Sequence, residues 1–144
     1  MSFIVIIPAR FASSRLPGKP LIYIGGKPMI ERVYGLAKQS KAKEVYVSTD
    51  HQEILDCCSS FGAKAVMTKP EHLTGTDRVA ETTEILNLNS ETVIVNLQGD
   101  EPFLNFSDIG NLAKFFIKEK RFEIGTLFSN FTDKQNQNDP NLVK

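Results

Sequence analysis

Short apolar runs alternate with longer amphipathic stretches along this chain. The first run, residues 4–8, places four aliphatic residues in succession, which is typical of a strand buried on both faces. Four similar runs predict further strands at residues 44–48, 63–67, 92–97 and 123–128, and 92–97 has the character of a central strand. The amphipathic stretches between these runs predict helices. Strands that alternate with helices favour βαβ units, so we predict an α/β fold with a mostly parallel sheet.

The predicted helices carry recognisable start and stop signals. One covers residues 28–40, a second runs from a cap at Asp50 to Gly62, a third covers 77–87, and a fourth opens at Ser107. Asp50 with Glu53 three residues later resembles a capping box. Thr76 is a suitable N-cap for the third helix, which should turn Val79, Thr83 and Leu86 inward.

Composition narrows the class of protein. The 144 residues suit one domain of ordinary size, and 41% hydrophobic residues can form a core. Basic and acidic residues balance at 17 each, so bulk charge suggests neither a nucleic acid nor a membrane as partner. We see no transmembrane stretch and no signal peptide, and the two cysteines, Cys57 and Cys58, are adjacent, so a reduced, cytoplasmic protein is expected.

A loop rich in cations follows the first predicted strand. Arg10, Arg15 and Lys19 lie on it, and Pro17, Gly18 and Pro20 constrain its path. Ligands of open α/β sheets bind at the carboxyl ends of strands, where fixed cations and backbone N–H groups suit a polyphosphate. The usual phosphate-loop pattern, GxxxxGK followed by Ser or Thr, is absent. An ordinary solvated loop is the alternative interpretation.

A second candidate site follows the strand at 92–97. Gly99 permits a sharp turn there, and Asp100 should then lie at the carboxyl edge of the sheet, facing the basic loop. Magnesium commonly binds one or two carboxylates together with substrate phosphates and water, so Asp100 is a candidate metal ligand. The alternative is that Asp100 and Glu101 are simply turn residues.

Residues 72–78 form a third candidate site. Arg78 falls in the first turn of a predicted helix, where the helix dipole disfavours a cation, so a ligand is one explanation for it and solvation is the other. His51 and His72 have no evident nucleophile to activate, and we interpret both as structural or solvated. We find no Ser-His-Asp or Cys-His signature.

Together these motifs resemble a known family, the 3-deoxy-manno-octulosonate (KDO) cytidylyltransferases, also called CMP-KDO synthetases. Seven blocks match in order, at residues 7–21, 26–30, 48–50, 67–68, 72–78, 95–102 and 139–144. The resemblance covers essentially the whole chain. It implies a Rossmann-like, three-layer nucleotidyltransferase fold, with residues 1–144 as a single nucleotide-binding domain.

The resemblance also implies a reaction. CTP and KDO would give CMP-KDO and pyrophosphate with magnesium, in the cytoplasm, for lipopolysaccharide biosynthesis. Arg10, Arg15 and Lys19 would hold the CTP phosphates and stabilise the leaving pyrophosphate, and Asp100 would bind magnesium. The remaining substrate-binding candidates, near the base, the ribose or the sugar, are Pro8, Ala9, Ser14, Thr74, Gly75, Arg78 and Gln98.

The family pattern continues beyond residue 144, so the chain looks truncated at its C-terminal side. The missing part should hold most sugar-binding residues, a second metal-binding Asp and the surface that makes family members homodimers. The chain would then be a truncated gene product or one half of a split protein, and we expect it alone to be poorly active or inactive, with CTP binding the function that could survive. Two alternatives stay open: a sialic-acid cytidylyltransferase, although that relative usually lacks the string at residues 16–20, and a non-catalytic nucleotide-binding remnant.

Overall fold

A four-stranded parallel sheet forms the centre of the computed structural model, which describes residues 2–12, 16–119 and 121–128. The spatial order of its strands is β5-β4-β1-β6. Their bounds are β1 Phe3–Ala9, β4 Glu44–Thr49, β5 Lys64–Met67 and β6 Val93–Asn96. A small antiparallel ribbon pairs β2, Tyr23–Ile24, with β3, Lys27–Pro28. The predicted α/β class with a mostly parallel sheet is confirmed.

Four helices cover the two faces of this sheet. They are α1 Met29–Gln39, α2 Gln52–Ser60, α3 Gly75–Ile85 and α4 Phe106–Lys118. Buried residues of α1, α2 and α4 join one apolar cluster, whereas Val79 of α3 belongs to a second cluster on the opposite face. The result is three layers, as predicted. Within the described ranges, no helix has both the length and the apolar character needed to span a membrane.

Strand β1 organises both layers because every one of its residues is buried. Phe3, Val5 and Ile7 face the first cluster, and Ile4 and Ile6 face the second, as the alternation of side chains along a strand requires. β1 pairs in parallel with β4 on one side and with β6 on the other. The carboxyl ends of these three strands therefore meet at one edge of the sheet.

Two predictions about strands were wrong. The run at 92–97 was predicted to be central, yet β6 lies at the edge of the described sheet and β1 is central. The run at 123–128 forms no strand, and Ile124 and Phe128 are each 89% exposed. An apolar run indicates that a segment could be buried, but it does not specify which strand would pair with it.

The starts of three helices also differ from the predictions. α4 was predicted to open at Ser107 but begins at Phe106, with Asn105 as its N-cap. His51, not Asp50, is the N-cap of α2, and its Nδ1 accepts a hydrogen bond from the Glu53 N–H. Thr74, not Thr76, caps α3, because Thr74 and Asp77 complete a capping box at that position. α3 begins at Gly75. Val79 is buried as expected, but the other buried positions are Arg78 and Thr82, not Thr83 and Leu86.

Candidate active site

The loops at the carboxyl edge of the sheet enclose a cavity of about 730 Å³. The residues that line it are Pro8, Ala9, Arg10, Leu16, Lys19, Pro20, His72, Leu73, Thr74, Gly75, Arg78, Gln98, Gly99 and Asp100. The cavity therefore brings together nine of the eleven predicted site residues: Pro8, Ala9, Arg10, Lys19, Thr74, Gly75, Arg78, Gln98 and Asp100. Ser14 and Arg15 lie outside the described residues.

The basic loop after β1 is closed by its own backbone. The Gly18 N–H donates to the Phe11 carbonyl at 2.9 Å, and Gly18 takes a φ of 68°, which favours glycine. A single turn of 3-10 helix, Lys19–Leu21, follows at once, and Pro20 within it is buried. This turn sets Lys19 at the rim of the cavity.

Lys19 and Asp100 form an ion pair across the cavity. Lys19 Nζ lies 2.7 Å from Asp100 Oδ2, and the two side chains are 37% and 50% exposed. Exposed pairs of this kind contribute about 0–1 kcal/mol, so a ligand can separate them at little cost. The carboxylate does face the basic loop, as the sequence predicted.

Two glycines allow the loops to approach the end of β1. A Cβ on Gly99 would lie 2.9 Å from the Pro8 carbonyl oxygen, closer than side-chain carbons come to backbone oxygens. A Cβ on Gly75 would lie 3.1 Å from Cγ of Pro8. Gly99 lies in the predicted turn, where the Glu101 N–H donates to the Gln98 carbonyl at 3.3 Å, and the close backbone contact is a further reason for glycine at this position.

Arg78 lies in the cavity wall, and its side chain is only 3% exposed. Its Nη2 donates to Asp50 Oδ2 at 2.9 Å, and its Nη1 donates to Thr68 Oγ1 at 2.5 Å and to the Lys69 carbonyl at 3.3 Å. It is therefore not a solvated arginine. It is neutralised by the partly buried carboxylate of Asp50, an explanation that neither sequence-based alternative included.

The N-terminus of α3 also faces the cavity, through Thr74 and Gly75. Thr74 Oγ1 accepts from the Asp77 N–H at 3.1 Å, and the Asp77 carboxylate accepts from the Thr74 N–H at 3.2 Å. The positive end of the helix dipole therefore points toward the cavity, where it favours an anion.

Sequence reasoning gave His72 no part in the site, yet it lines the cavity. Its Nε2 is hydrogen-bonded to Glu81 Oε2, and the same oxygen accepts from the Lys69 N–H at 2.9 Å. The hydrogen bond from His72 holds the pKa of Glu81 below its usual value. The position of His72 in the matched block at 72–78 was a signal that could have identified it. The other histidine, His51, stacks on Phe11 with ring centroids 3.8 Å apart.

Asp100 is the cavity's candidate metal ligand. Among the described residues, no group of three or more His, Cys, Asp or Glu side chains could hold a metal ion. Magnesium does not require such a cage, because it commonly binds one or two carboxylates and takes its other ligands from phosphates and water. A single carboxylate beside cations suited to phosphates fits magnesium that arrives with a polyphosphate.

The order of the sheet and the loops gathered at its carboxyl edge define an α/β nucleotidyltransferase fold, which solved cytidylyltransferases share. The chain belongs to the cytidylyltransferase family, whose model matches residues 4–144. The structure of CMP:2-keto-3-deoxy-manno-octonic acid synthetase complexed with CTP is 40% identical, with a TM-score of 0.79 over 84% of this chain and 49% of that chain.

Two relatives show the same likeness in sequence. The 3-deoxy-manno-octulosonate cytidylyltransferases of Pseudoalteromonas translucida and Saccharophagus degradans are 44% and 46% identical over the whole of this chain. The resemblance to this group is confirmed, and the sialate alternative is not favoured. The chain spans 56% of the length of these relatives. The activity, substrates and partners of the whole protein are therefore matters for proposal.

Proposed function

We propose that this chain supplies the nucleotide site of a 3-deoxy-manno-octulosonate cytidylyltransferase. Such an enzyme transfers CMP from CTP to KDO and releases pyrophosphate, and its product is the activated sugar for lipopolysaccharide biosynthesis. One observation carries the proposal: Arg10, Lys19 and Asp100 meet the N-terminus of α3 around one cavity. The 40% identity to a synthetase solved with CTP supports the choice of nucleotide.

The charges around the cavity suit a triphosphate with a divalent cation. Arg10 makes no hydrogen bond or ion pair with another described residue, so it is available to a phosphate. Lys19 and Arg78 each face a carboxylate, from Asp100 and Asp50 respectively. These side chains alone neutralise only part of a triphosphate. Magnesium, held by Asp100 and the phosphates, would supply the remaining positive charge.

The proposed transfer needs positioning and charge stabilisation more than covalent catalysis. A KDO hydroxyl attacks the α-phosphorus in line with the departing pyrophosphate, so cations are needed where negative charge accumulates. Arg10, Lys19 and, outside the described residues, Arg15 would hold the departing phosphates. Lys19 leaves Asp100 for the phosphates, which frees the carboxylate for the metal.

The nucleoside would lie against uncharged residues of the cavity lining. Pro8, Ala9, Thr74 and Gly75 are among them, and the family resemblance assigns them to the ribose and base. Gln98 Nε2 donates to Asn96 Oδ1 at 2.9 Å, which leaves the amide oxygen of Gln98 facing the cavity as an acceptor. An amide can recognise the edge of a base or a sugar hydroxyl. Ser14, which lies outside the described residues, remains a further candidate.

Calorimetric titration with CTP, with and without magnesium, tests the nucleotide site. We expect CTP to bind more tightly with magnesium, and Lys19→Ala to weaken binding about tenfold, as loss of a charge-assisted hydrogen bond does. Lys27→Ala is the matched control. The Lys27 side chain is 58% exposed, and it extends from β3 to pair with Glu31 on α1. If the wild type did not bind CTP, or if both variants bound it equally well, the proposal would be wrong.

Pyrophosphate release from CTP tests the sugar substrate. We expect any release to require KDO together with magnesium, and sialic acid to neither replace KDO nor compete with it. Binding of CTP without KDO-dependent release would restrict this chain to the nucleotide site. Release that depends on sialic acid would contradict the choice of KDO.

A further inference from the structure

Asp50 joins two parts of the site without lining the cavity. It directly follows β4, and its side chain is 10% exposed. Its two carboxylate oxygens have different partners: Oδ1 accepts from the Phe11 N–H at 3.2 Å, and Oδ2 accepts from Arg78 Nη2 at 2.9 Å. One partly buried carboxylate thus connects the basic loop after β1 to helix α3.

Phe11 is the point at which the basic loop closes. Its N–H donates to Asp50, its carbonyl accepts the Gly18 N–H at 2.9 Å, and its ring stacks on His51. Arg10 precedes Phe11, and Lys19 follows Gly18. Both phosphate-binding candidates of the described loop are therefore neighbours of a backbone contact that Asp50 anchors.

The other side of the contact is rigid. Arg78 is 2% exposed, and it also donates to Thr68 Oγ1 and to the Lys69 carbonyl. Thr68 in turn donates to the Thr49 carbonyl at 3.0 Å. Because these groups fix the guanidinium, they also fix the carboxylate of Asp50 and, through it, the N–H of Phe11.

We propose that Asp50 is a positioning residue for the triphosphate. Through Phe11 it holds the basic loop so that Arg10 and Lys19 face the phosphates. This inference rests on the proposed function, since it assumes that the cavity binds CTP. Asp50 should therefore affect binding of the ligand's phosphates but not binding of its nucleoside.

Asp50→Asn separates the two contacts. An amide offers one acceptor oxygen where a carboxylate offers two, and the buried Arg78 will take it, which leaves Phe11 N–H without a partner. We expect the affinity advantage of CTP over CMP to fall about five- to tenfold, as loss of a positioning hydrogen bond predicts, while CMP binding changes little. An unchanged CTP-to-CMP ratio in this variant would overturn the proposal.

Ser48→Ala controls for simple destabilisation. Ser48 Oγ lies 2.5 Å from Thr82 Oγ1, so this variant also removes a buried contact between β4 and α3 but leaves the basic loop untouched. It should lower the melting temperature without changing the CTP-to-CMP affinity ratio. If Ser48→Ala and Asp50→Asn reduced the ratio equally, the effect of Asp50 would be structural and the proposal wrong.

Hydrogen exchange followed by NMR tests the anchor in the wild-type chain, even if Asp50→Asn does not fold. The amides of Phe11 and Gly18 should be protected, and saturation with CTP should slow their exchange further. Exchange of the Phe11 amide at the rate of an unfolded chain would overturn the proposal. Failure of the wild type to bind CTP would instead refute the proposed function. The exchange data would still test whether Asp50 holds the Phe11 N–H.

Discussion

Gly99→Ala directly tests whether the loop after β6 must lie against the end of β1. The added methyl group would lie 2.9 Å from the Pro8 carbonyl oxygen. That oxygen belongs to the backbone of the most buried strand, so it cannot move aside as a flexible side chain could. The turn that carries Asp100 must therefore shift, and the carboxylate moves with it.

The size of the effect follows from two opposing terms. Overpacking of this kind costs about 1–3 kcal/mol. Replacing a glycine at a conformation open to alanine restores about 0.4–1 kcal/mol, because the unfolded chain loses freedom. We therefore expect a net loss of about 0.5–2 kcal/mol, or a fall of about 2–8 °C in melting temperature for a chain of this size.

Thermal unfolding with and without CTP is the assay, and Gly35→Ala is the control. Gly35 lies inside α1, and a Cβ there would meet nothing within 4 Å, so the same substitution should stabilise the protein. Gly99→Ala should lower both the melting temperature and its increase on adding CTP. A Gly99→Ala variant that melts at or above the wild-type temperature would refute the argument from close contact.

Two further predictions follow from the pKa shifts. Hydrogen bonding from His72 holds the pKa of Glu81 below its usual 4.5. The contribution of this pair to the stability of the fold is therefore complete above pH 4.5, and it is lost as the pH falls through the lowered pKa. Glu81→Gln should therefore destabilise the protein by up to about 1 kcal/mol at neutral pH, and urea unfolding should show this difference shrinking in acid; a difference independent of pH would contradict the assignment. Burial raises the pKa of the Cys58 thiol to about 12. In a Cys57→Ser variant, a thiol reagent at pH 8 should therefore label Cys58 only after denaturant is added. Rapid labelling of the folded variant would contradict the burial of Cys58.

Local sequence patterns predicted where most strands and helices lie along the chain, but not which strands pair with one another. The run at 4–8 was recognised as a strand because burial on both faces leaves a continuous apolar signature. The run at 92–97 has similar character, yet it occupies the edge of the described sheet, since the order of strands depends on pairing that no single segment encodes. The run at 123–128 shows the same limit, because it is apolar but forms no strand.

Asp50 illustrates why capping logic failed. Its spacing from Glu53 matches a capping box, but the carboxylate is engaged by Arg78, which lies 28 residues further along the chain. Neutralising a buried guanidinium outweighs one capping hydrogen bond, and His51 can cap α2 instead. Local propensity could not reveal this, since the competing partner comes from another helix.

The sequence predicted which residues gather at the candidate site, but not which of their charged side chains pair with one another. Sequence motifs identified Lys19 and Asp100 separately, and their ion pair joins residues 81 positions apart. In the proposed reaction both ligands require that pair to open, the triphosphate to reach Lys19 and magnesium to reach Asp100. Opening it once serves both, so each ligand should strengthen binding of the other by the same factor. In the proposed reaction the ion pair would therefore couple the metal to the nucleotide, by no more than the contribution of an exposed pair, about 0–1 kcal/mol.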